Sequence, residues 1–259
     1  MLSDNKQETA SRRAKMLAQL EENGQLSVKK LSRSFNVSEV TIRNDLNYLE
    51  KNNFLIRSRG GALKNQRVGL DFKLNEKSKQ HLPEKQAIGR RAAELIKEGD
   101  TIILDSGTTT MEIAKNLSNF ANLTVITNAL NIAGYLSGYG NIKIIMLGGY
   151  LRENSLSLVG PTSIESLKNF YGDKVFIGVD AISAAYGIST PNIEEAYLNR
   201  TMIDVSKEII VVTDSSKFFN KSFAFICPMT AINTLITDKN IPQKEVDYMK
   251  DLKLDLIIV

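Results

Sequence analysis

The sequence predicts an α/β protein with two unequal parts: a small helical domain at the N-terminus and a larger domain built on a mostly parallel sheet. Short helical patterns fill the first 64 residues, and apolar runs alternate with helical patterns from residue 101 onward. Charge divides the chain in the same way. Residues 1–67 contain 13 Lys or Arg against 7 Asp or Glu, whereas residues 68–259 contain 20 against 22. This asymmetry predicts a basic arm that meets a polyanion and a near-neutral body.

The composition narrows the class of protein further. With 259 residues, 42% hydrophobic and 24% charged, the chain can bury a substantial core. No apolar run approaches membrane-spanning length, and the start MLSDNKQETA lacks the pattern of a signal peptide, so we expect a cytoplasmic protein. The single Cys227 excludes a disulfide framework, and one histidine leaves little from which to build a soft-metal site. We therefore predict no metal and no cofactor.

Two helices are predicted before a turn in the N-terminal domain. Residues 9–23 begin with Thr, have an apolar stripe at helical spacing and stop at Gly24. Ser27 is the predicted N-cap of a second, short helix. Asn36 and Val37 break its pattern and predict a turn into a third helix. Three short helices in this order are typical of a DNA-binding domain.

The third helix lies in the stretch FNVSEVTIRNDLNYLE, residues 35–50, where Ser38 is a good N-cap. One side is predicted to be buried and comprises Val40, Ile42, Leu46 and Leu49. The other side offers polar groups that can hydrogen-bond base edges or phosphates in a DNA major groove. The predicted DNA contacts of this helix are Ser38, Thr41, Arg43, Asn44 and Asn47. An ordinary surface helix is the alternative interpretation.

A basic hairpin is predicted directly after this helix. Residues 54–57 and 62–63 read as two short strands joined through residues 58–61. Arg57 and Arg59 could reach backbone phosphates or a minor groove. Residues 1–64 are thus predicted to form a winged helix-turn-helix domain.

A polar segment separates the two predicted domains. Residues 65–82 are charged and have no sustained period, which predicts a linker with at most a loose helix. Pro83 then opens a helix that is predicted to stop at Gly99. The second domain is predicted to span residues 83–259.

Seven apolar runs in the body read as strands, namely residues 101–104, 123–127, 142–147, 174–179, 208–212, 232–236 and 254–259. Helical patterns follow most of them, at residues 109–117, 129–137, 163–170, 193–205 and 243–251. This alternation predicts a mostly parallel sheet with helices on both faces. Ligands of such sheets bind at the carboxyl ends of the strands.

The first of these strand ends carries a loop rich in hydroxyl groups. The strand ending at residue 104 continues into Asp105, Ser106, Gly107, Thr108 and Thr109, and then into a helix. Hydroxyls and free backbone N–H groups at a positive helix end predict a phosphate cradle. Ordinary capping of a helix by Ser and Thr is the alternative.

Further polar residues follow the other predicted strands, and they are Thr127, Asn128, Gly149, Arg152, Asp180, Glu195 and Lys217. Taken singly, Gly149 could be a turn and Lys217 a surface charge. Taken together, they predict a site for an anionic ligand with several hydroxyls. Lys217 and Arg152 would contact a phosphate, and the three carboxylates, including Asp105, would hold sugar hydroxyls.

Several motifs match those of one family of bacterial regulators. They are LSVKKL, FNVSEVTIRNDLNYL and RSRGGAL in the N-terminal part, and LDSGTTT, TVITNALNIA, VFIGVDAIS and VVTDSSKF in the body. In these motifs the chain resembles the DeoR family of sugar-catabolism repressors over nearly its whole length. The VTIRNDL motif with a GGAL wing is most similar to the branch that includes the galactosamine-catabolism repressor. Three residues depart from the family pattern. Asn44 stands where members frequently have a basic residue, and Arg59 stands where they frequently have His or Tyr. Ala181 stands where many members have Gly.

The resemblance implies a sensor domain similar to the sugar-phosphate isomerases, specifically ribose-5-phosphate isomerase, and to glucosamine-6-phosphate deaminase, and responsive to phosphorylated sugars. By position, it implies that the phosphate loop is Ser106–Thr109. The remaining pocket falls on Asn128, Gly149, Asp180, Glu195 and Lys217. The family also implies that the effector releases the protein from DNA.

Two functions are compatible with these features. The first is a DNA-binding repressor of a sugar or amino-sugar catabolic operon, acting as a dimer or tetramer on operator DNA and controlled by a phosphosugar. The second is an isomerase or deaminase acting on sugar phosphates, with Asp180 or Glu195 as base. The body contains no histidine after His81, and an enzyme would leave the basic N-terminal domain unexplained. The sequence leaves the sugar, the operator and the oligomeric number open.

Overall fold

The computed structural model describes residues 2–51, 54–65 and 71–259, and the chain divides into two compact units at residues 80 and 81. Each unit has its own apolar core. No helix of the described part of the chain is long and apolar enough to cross a membrane.

The N-terminal unit has four helices and a small antiparallel sheet among its described residues. Its elements are α1 (Leu2–Asn23), β1 (Gln25–Ser27), α2 (Val28–Phe35), α3 (Glu39–Lys51), β2 (Leu55–Ser58), β3 (Gly61–Lys64) and α4 (Leu74–Lys77). The sheet order is β1-β3-β2, so the predicted hairpin gains a third strand that was not predicted. Gly61 permits this pairing, because a Cβ there would lie 1.8 Å from the carbonyl oxygen of Leu26.

Apolar side chains of α1 and α3 form the core of this unit. Ile42, Leu46 and Leu49 are fully buried, as predicted. The prediction for Val40 is wrong, since its side chain is 63% exposed. Two residues of a helix turn through about 200°, so Val40 and Ile42 lie on opposite sides of α3.

The helix caps agree only in part with the sequence pattern. The Thr41 N–H donates to Ser38 Oγ at 3.1 Å, which confirms Ser38 as the N-cap of α3. Ser27 occupies the N-cap position of α2 but makes no side-chain capping bond. The Val28 N–H donates instead to the Gly60 carbonyl at 2.9 Å, since β1 brings this helix end against the hairpin.

A buried carboxylate on α3 ties this helix to α1. Asp45 is 2% exposed, and its two oxygens lie 2.6 Å from Arg12 Nε and 2.7 Å from Arg13 Nε. The Arg13 guanidinium also lies 3.7 Å from the centre of the Tyr48 ring. The buried charge of Asp45 is compensated because it is paired with two arginines, and both arginines keep some contact with water.

Part of the segment predicted as a linker packs on the same unit. The Tyr48 hydroxyl donates to Glu76 of α4 at 2.7 Å, and the rings of Phe54 and Phe72 stack with centroids 4.3 Å apart. The hydrogen bond to Glu76, followed by burial, raises the pKa of Tyr48. Residues 66–70 of the predicted linker lie outside the described residues.

The C-terminal unit alternates strands and helices. Its first half contains α5 (Leu82–Ala93), β4 (Thr101–Leu104), α6 (Thr108–Ala114), β5 (Leu123–Thr127), α7 (Leu130–Leu136), β6 (Ile142–Met146), β7 (Tyr150–Arg152), β8 (Ser157–Val159) and α8 (Pro161–Leu167). Its second half contains β9 (Gly172–Gly178), β10 (Ala181–Ser183), β11 (Gly187–Thr190), α9 (Ile193–Asp204), β12 (Ser206–Val212), β13 (Ala224–Cys227), β14 (Thr234–Thr237), α10 (Gln243–Asp251) and β15 (Asp255–Ile258).

A parallel sheet of seven strands forms the centre of this unit, in the order β15-β14-β12-β9-β4-β5-β6. All six pairings are parallel. These are the seven strands that the sequence predicts, so the predicted fold class is confirmed. Alternate residues of β4 face opposite sides, with Ile103 in one core and Ile102 and Leu104 in the other. Both faces are therefore covered.

Two predictions about local structure need correction. Helix α5 ends at Ala93 and not before Gly99, because Leu95 and Ile96 bond three residues back in a tighter turn. The sequence also did not predict the β7–β8 hairpin or the antiparallel sheet β10-β11-β13. Most of these strands mix polar and apolar residues within three or four positions, so they lack the apolar runs that identify the central strands.

We expect Asp45→Asn to destabilise the N-terminal unit by about 2 kcal/mol, because two arginines lose their buried partner. Hydrogen exchange of α1 and α3 peptides, read by mass spectrometry, measures this unit separately from the other. Glu39→Gln is the matched control on the same helix. It breaks only the exposed pair with Arg43 and should cost no more than about 0.5 kcal/mol. Equal protection losses in both variants would contradict the role of Asp45.

Candidate functional site

The outer side of α3 presents the polar residues that were predicted to contact DNA. Asn44 and Asn47 are exposed. Arg43 is also exposed, and its Nη2 lies 2.6 Å from Glu39 Oε2 one turn earlier. An exposed pair of this kind costs little to break, so Arg43 can exchange Glu39 for another anion.

Ser38 and Thr41 lie at the start of the same helix. Their hydroxyls are 2.9 Å apart, and Ser38 also accepts the Thr41 N–H. The structure therefore gives the Ser38 side chain a capping role and pairs the Thr41 hydroxyl with it. DNA contact by either residue stays a prediction. Val40, directly before Thr41, is exposed and was missed as a surface residue. Its apolar side chain has the chemistry that contacts a thymine methyl group.

The two arginines of the hairpin differ in their surroundings. Arg59 is exposed at the turn between β2 and β3. Arg57 is half-buried, and its backbone N–H donates to Glu50 Oε1 at 2.9 Å. Its Nη1 is buried without a partner among the described residues. Arg59 is thus the better placed of the two to reach a phosphate.

In the C-terminal unit, the direction of chain progression reverses between β4 and β9. From β4 the chain continues to β5 and β6 on one side, and then returns to β9 on the other. Such a switch point leaves a crevice at the carboxyl ends of the two strands. Asp105 follows β4 and Asp180 follows β9, so two of the predicted ligand residues flank this crevice.

Asp105 is fully enclosed at the end of β4. The Ser106 N–H donates to its Oδ1 at 2.6 Å, and the Asn199 amide on α9 also donates to its carboxylate. Burial, and after it the charge of Glu195, raises the pKa of Asp105 well above its usual range. This carboxyl group is therefore biased towards its neutral form, in which it can donate a hydrogen bond.

Glu195 lies at the centre of a second group of contacts. Its Oε1 is 2.5 Å from Arg152 Nη1 and accepts a hydrogen bond from Ser157 at 3.1 Å. The Thr190 hydroxyl links this group to Asp180, since its oxygen lies 3.3 Å from Glu195 Oε2 and 3.2 Å from Asp180 Oδ2. Arg152 and Glu195 are about nine-tenths buried, so this ion pair is shielded from water. The structure thus brings Arg152, Asp180 and Glu195 together, with Asp105 next to them.

The hydroxyl-rich loop runs from Asp105 into α6. Ser106 N–H is turned back to Asp105, and Thr110 Oγ1 donates to the Gly107 carbonyl at 3.2 Å. Thr108 and Thr109 occupy the first turn of α6, where backbone N–H groups have no partner within the helix. Thr108 is half-buried and Thr109 buried, so Thr108 is the more accessible hydroxyl.

Three other predicted residues line the neighbouring strand ends. The Thr127 hydroxyl is engaged on both sides, donating to Leu104 O and accepting the Ala129 N–H. Asn128 is fully buried, and its Oδ1 has no partner among the described residues. A Cβ on Gly149 would lie 2.5 Å from Val159 O at a φ of 133°, so glycine is required there for backbone packing. Ligand binding by these three residues stays a prediction.

Lys217 lies further along the same sheet edge, after β12. Burial alone would raise the pKa of Asp214, but the charges of Lys217, Lys85 and His81 and the hydrogen bond from Ser216 together lower it. Lys85 on α5 is only 3% exposed, and the sequence pattern did not single it out. Charged residues are common in helices, so only its burial marks it as unusual.

The two units thus carry two kinds of site. One is a helix-turn-helix with an exposed basic and amide face, and the other is a polar crevice at the switch point of a parallel sheet. These features are typical of a DNA-binding regulator with a second, α/β domain.

Comparison with known proteins identifies the family. A profile described as the DeoR-like helix-turn-helix domain matches residues 12–68, and one described as the DeoR C terminal sensor domain matches residues 80–239. The chain belongs to the DeoR family of transcriptional regulators, which confirms the resemblance seen in its motifs.

Relatives match along nearly the whole chain. The putative aga operon transcriptional repressor of Escherichia coli O157:H7 is 38% identical over 97% of this chain and 94% of its own length. The transcriptional repressor GlcR of Bacillus subtilis is 36% identical over 92% of both chains. The regulator GolR of Listeria innocua is 34% identical over 89% of this chain and 91% of its own. All three are named as regulators, which favours the regulator over the enzyme alternative.

Solved structures give weaker matches. Ribose 5-phosphate isomerase A from Methanocaldococcus jannaschii is 17% identical, with a TM-score of 0.39 over 52% of this chain and 53% of its own. The translation initiation factor eIF-2B of Pyrococcus horikoshii OT3 is 16% identical, with a TM-score of 0.40 over 83% and 74%. Nothing about the chemistry of this chain follows from matches at this level.

We expect Asp105→Asn to stabilise the C-terminal unit at neutral pH. The raised pKa means that the folded state binds the proton of Asp105 more tightly than the unfolded state does. The free energy of unfolding therefore falls as the pH rises above the unfolded pKa of this group. The denaturant midpoint of the variant should exceed that of the wild type at pH 7, and the difference should shrink as the pH is lowered.

Asp100→Asn provides a control with the opposite sign. Burial alone would raise the pKa of Asp100, but the hydrogen bonds from Lys174 Nζ, at 2.7 Å, and from the Lys97 N–H, with the charges of both lysines, together lower the pKa. Its stabilising contribution is present above its unfolded pKa and is lost as the pH falls. This variant should therefore be less stable than the wild type at pH 7. The same sign in both variants would contradict the charge assignment of Asp105.

Proposed function

We propose that this protein is a repressor of a sugar or amino-sugar catabolic operon that binds operator DNA through α3 and releases it when a phosphorylated sugar enters the crevice of the C-terminal unit. The observation that carries the proposal is the outer face of α3, where Arg43, Asn44 and Asn47 are exposed together while the opposite face is buried. The operon repressors among the relatives support the class of genes.

On DNA, α3 would lie in the major groove. Arg43 would leave Glu39 and contact a guanine or a phosphate, and Asn44 or Asn47 would contact an adenine edge. Val40 would pack on a thymine methyl group. Arg59, at the hairpin turn, would reach the neighbouring backbone or minor groove.

In the crevice, the phosphate would contact the loop Ser106–Thr109 and Lys217, with Arg152 as a further cation. Asp180 and Glu195 would accept hydrogen bonds from sugar hydroxyls, and neutral Asp105 could donate one. Arg152 is already paired with Glu195. A phosphate that attracts Arg152 would therefore weaken this pair and disturb α9, which carries Glu195.

Two copies of the chain would present two recognition helices to a repeated or palindromic operator. The effector would act by shifting the equilibrium between subunit arrangements, with a coupling of about 1–3 kcal/mol. A coupling of this size changes operator affinity by roughly 5- to 150-fold.

Arg43→Ala and Asn44→Ala should each weaken specific operator binding by about 1–3 kcal/mol, because a base or phosphate contact is lost. Fluorescence anisotropy on a labelled fragment from upstream of the protein's own operon measures the effect, at two salt concentrations. Lys168→Ala, which removes an exposed cation of the C-terminal unit paired with Glu165, is the matched control. An unchanged affinity in Arg43→Ala would remove this residue from the contact surface.

Thr108→Asp should abolish the effector response and leave operator binding intact, because a fixed negative charge would repel phosphate from the loop. Thr108→Asn, which has nearly the same shape without the charge, should keep a measurable response. The same anisotropy assay, with a panel of hexose, hexosamine and pentose phosphates, distinguishes them. A full response in Thr108→Asp would show that the phosphate binds elsewhere.

A further inference from the structure

We propose that Thr190 is a positioning residue of the effector crevice, whose hydroxyl transfers its hydrogen bond between Asp180 and Glu195 and so passes a ligand contact at Asp180 on to α9. The inference rests on the proposed function, because it assigns this residue a role within the response to the effector. Thr190 was not among the predicted ligand residues, and it lies at the end of β11.

The Thr190 hydroxyl lies between two carboxylates that belong to different elements. Its oxygen is 3.2 Å from Oδ2 of Asp180, which follows β9, and 3.3 Å from Oε2 of Glu195, on α9. A threonine hydroxyl carries one hydrogen, and an ionised carboxylate only accepts. The hydroxyl therefore donates to Asp180 or to Glu195 at any moment, and the nearly equal distances favour neither of them.

The serine hydroxyls bonded near Glu195 have a fixed direction, unlike that of Thr190. Ser157 donates to Glu195 Oε1 at 3.1 Å. The oxygens of Ser155 and Ser157 are 2.7 Å apart, and since Ser157 has used its own hydrogen, Ser155 must supply the one between them. Ser155 in turn accepts from Arg152 Nη1 at 2.9 Å. Each hydrogen of this row has one acceptor, whereas the hydrogen of Thr190 has two.

The position of the Thr190 oxygen is fixed even though its hydrogen can move. The residue is 4% exposed, and its backbone pairs with Ala224 of β13. Asn192 caps α9 by accepting the N–H groups of Glu194 and Glu195, both at 2.9 Å, which fixes the start of this helix. Threonine is branched at Cβ, so its χ1 angle is restricted as well. Rotation of the hydroxyl hydrogen alone is enough to change the acceptor.

Both carboxylates act on the same part of the crevice. Burial first, and then the charges of Glu195 and Asp180, raise the pKa of Asp105 at the end of β4. Three acidic groups from β4, β9 and α9 therefore influence one another across a common space. A ligand that enters this space meets Asp180 and Glu195 together, with the Thr190 hydroxyl between them.

A sugar hydroxyl that donates to Asp180 would satisfy the acceptor that competes for the Thr190 hydrogen. Thr190 then donates to Glu195 Oε2. Because an additional hydrogen bond withdraws negative charge from a carboxylate, Glu195 would hold Arg152 less firmly. Arg152 becomes available to the phosphate of the same ligand, and α9 loses a contact to the β7–β8 hairpin. The hydroxyl contact and the phosphate contact thus favour each other.

Asp180→Asn tests the transfer without any effector. A neutral amide oxygen competes less well than a carboxylate for the Thr190 hydrogen, which then stays with Glu195. In the operator anisotropy assay, this variant should bind about 5-fold more weakly than the wild type, in the direction of the effector-bound state. Adding Thr190→Val removes the hydrogen and should restore the wild-type affinity. Wild-type affinity in Asp180→Asn alone, or a double variant that is equally weak, would overturn the proposal.

Thr190→Val should bind the operator as the wild type does but respond less to the effector, because the hydroxyl is lost while the shape is kept. With saturating hexose, hexosamine or pentose phosphate, its change in operator affinity should be about 5-fold smaller than that of the wild type, as expected for one lost hydrogen bond. Thr190→Ser, which keeps a hydroxyl, should restore the change. A residue with a merely structural role would leave the change at saturation intact, and that result would contradict the proposal.

Thr234→Val is the matched control for this substitution. Thr234 is also 4% exposed, but it lies at the amino end of β14, away from the crevice. Its effector response should equal that of the wild type, and the unfolding midpoints of the two valine variants measure any loss of folding. Asp180→Asn keeps Thr190 and decides the question if Thr190→Val does not fold.

Failure of this proposal is distinguishable from failure of the proposed function. A wild type that binds the operator and is released by none of the phosphosugars would contradict the proposed function. Release of Thr190→Val that is as complete as release of the wild type would contradict only the role of Thr190.

Discussion

The parallel pairing of seven strands is the constraint on which the C-terminal unit depends. Parallel strands direct all their carboxyl ends to one edge, so residues far apart in sequence meet there. Asp105, Asp180 and Asp214 each follow a different strand of this sheet, and the strands are neighbours in the order β4, β9 and β12. The position of the crevice follows from strand order and requires no special loop.

Several polar side chains at this edge of the sheet are bonded to one another. Glu195 is shared by Arg152, Ser157 and Thr190, and the pKa of Asp105 is raised by burial and by Glu195. Such an arrangement has a net acidic character, with one arginine engaged by one of three carboxylates. A bound phosphate would change this balance because it competes for the arginine. Helix α9 carries Glu195, so it is the element that binding of the proposed phosphate would reach first.

Much of the fold could be predicted because long apolar runs are unambiguous. The seven central strands were found, since each lies in an apolar run of the sequence with a helix pattern near it. The short antiparallel strands of the C-terminal unit were missed, and with them the β7–β8 hairpin that brings Arg152 to Glu195. The pairing of these two residues spans 43 positions, and nothing in local periodicity could reveal it. Lys85 was missed for a related reason, because only tertiary packing distinguishes a buried lysine from an exposed one.

Helix α3 shows where prediction from the hydrophobic pattern succeeds and where it fails within a single element. Its buried stripe was predicted correctly at Ile42, Leu46 and Leu49, but Val40 was assigned to that stripe on hydrophobicity alone. Asp45 was not singled out, although it is buried between Arg12 and Arg13. Residue polarity alone therefore does not predict burial at these two positions, since the apolar Val40 is exposed and the charged Asp45 is buried. The buried carboxylate has a physical reason, because it fixes α3 on α1. The exposed valine lies on the face that we propose to contact DNA, where it would pack on a thymine methyl group. The two side chains that break the hydrophobic pattern thus mark the attachment of α3 and its proposed contact face.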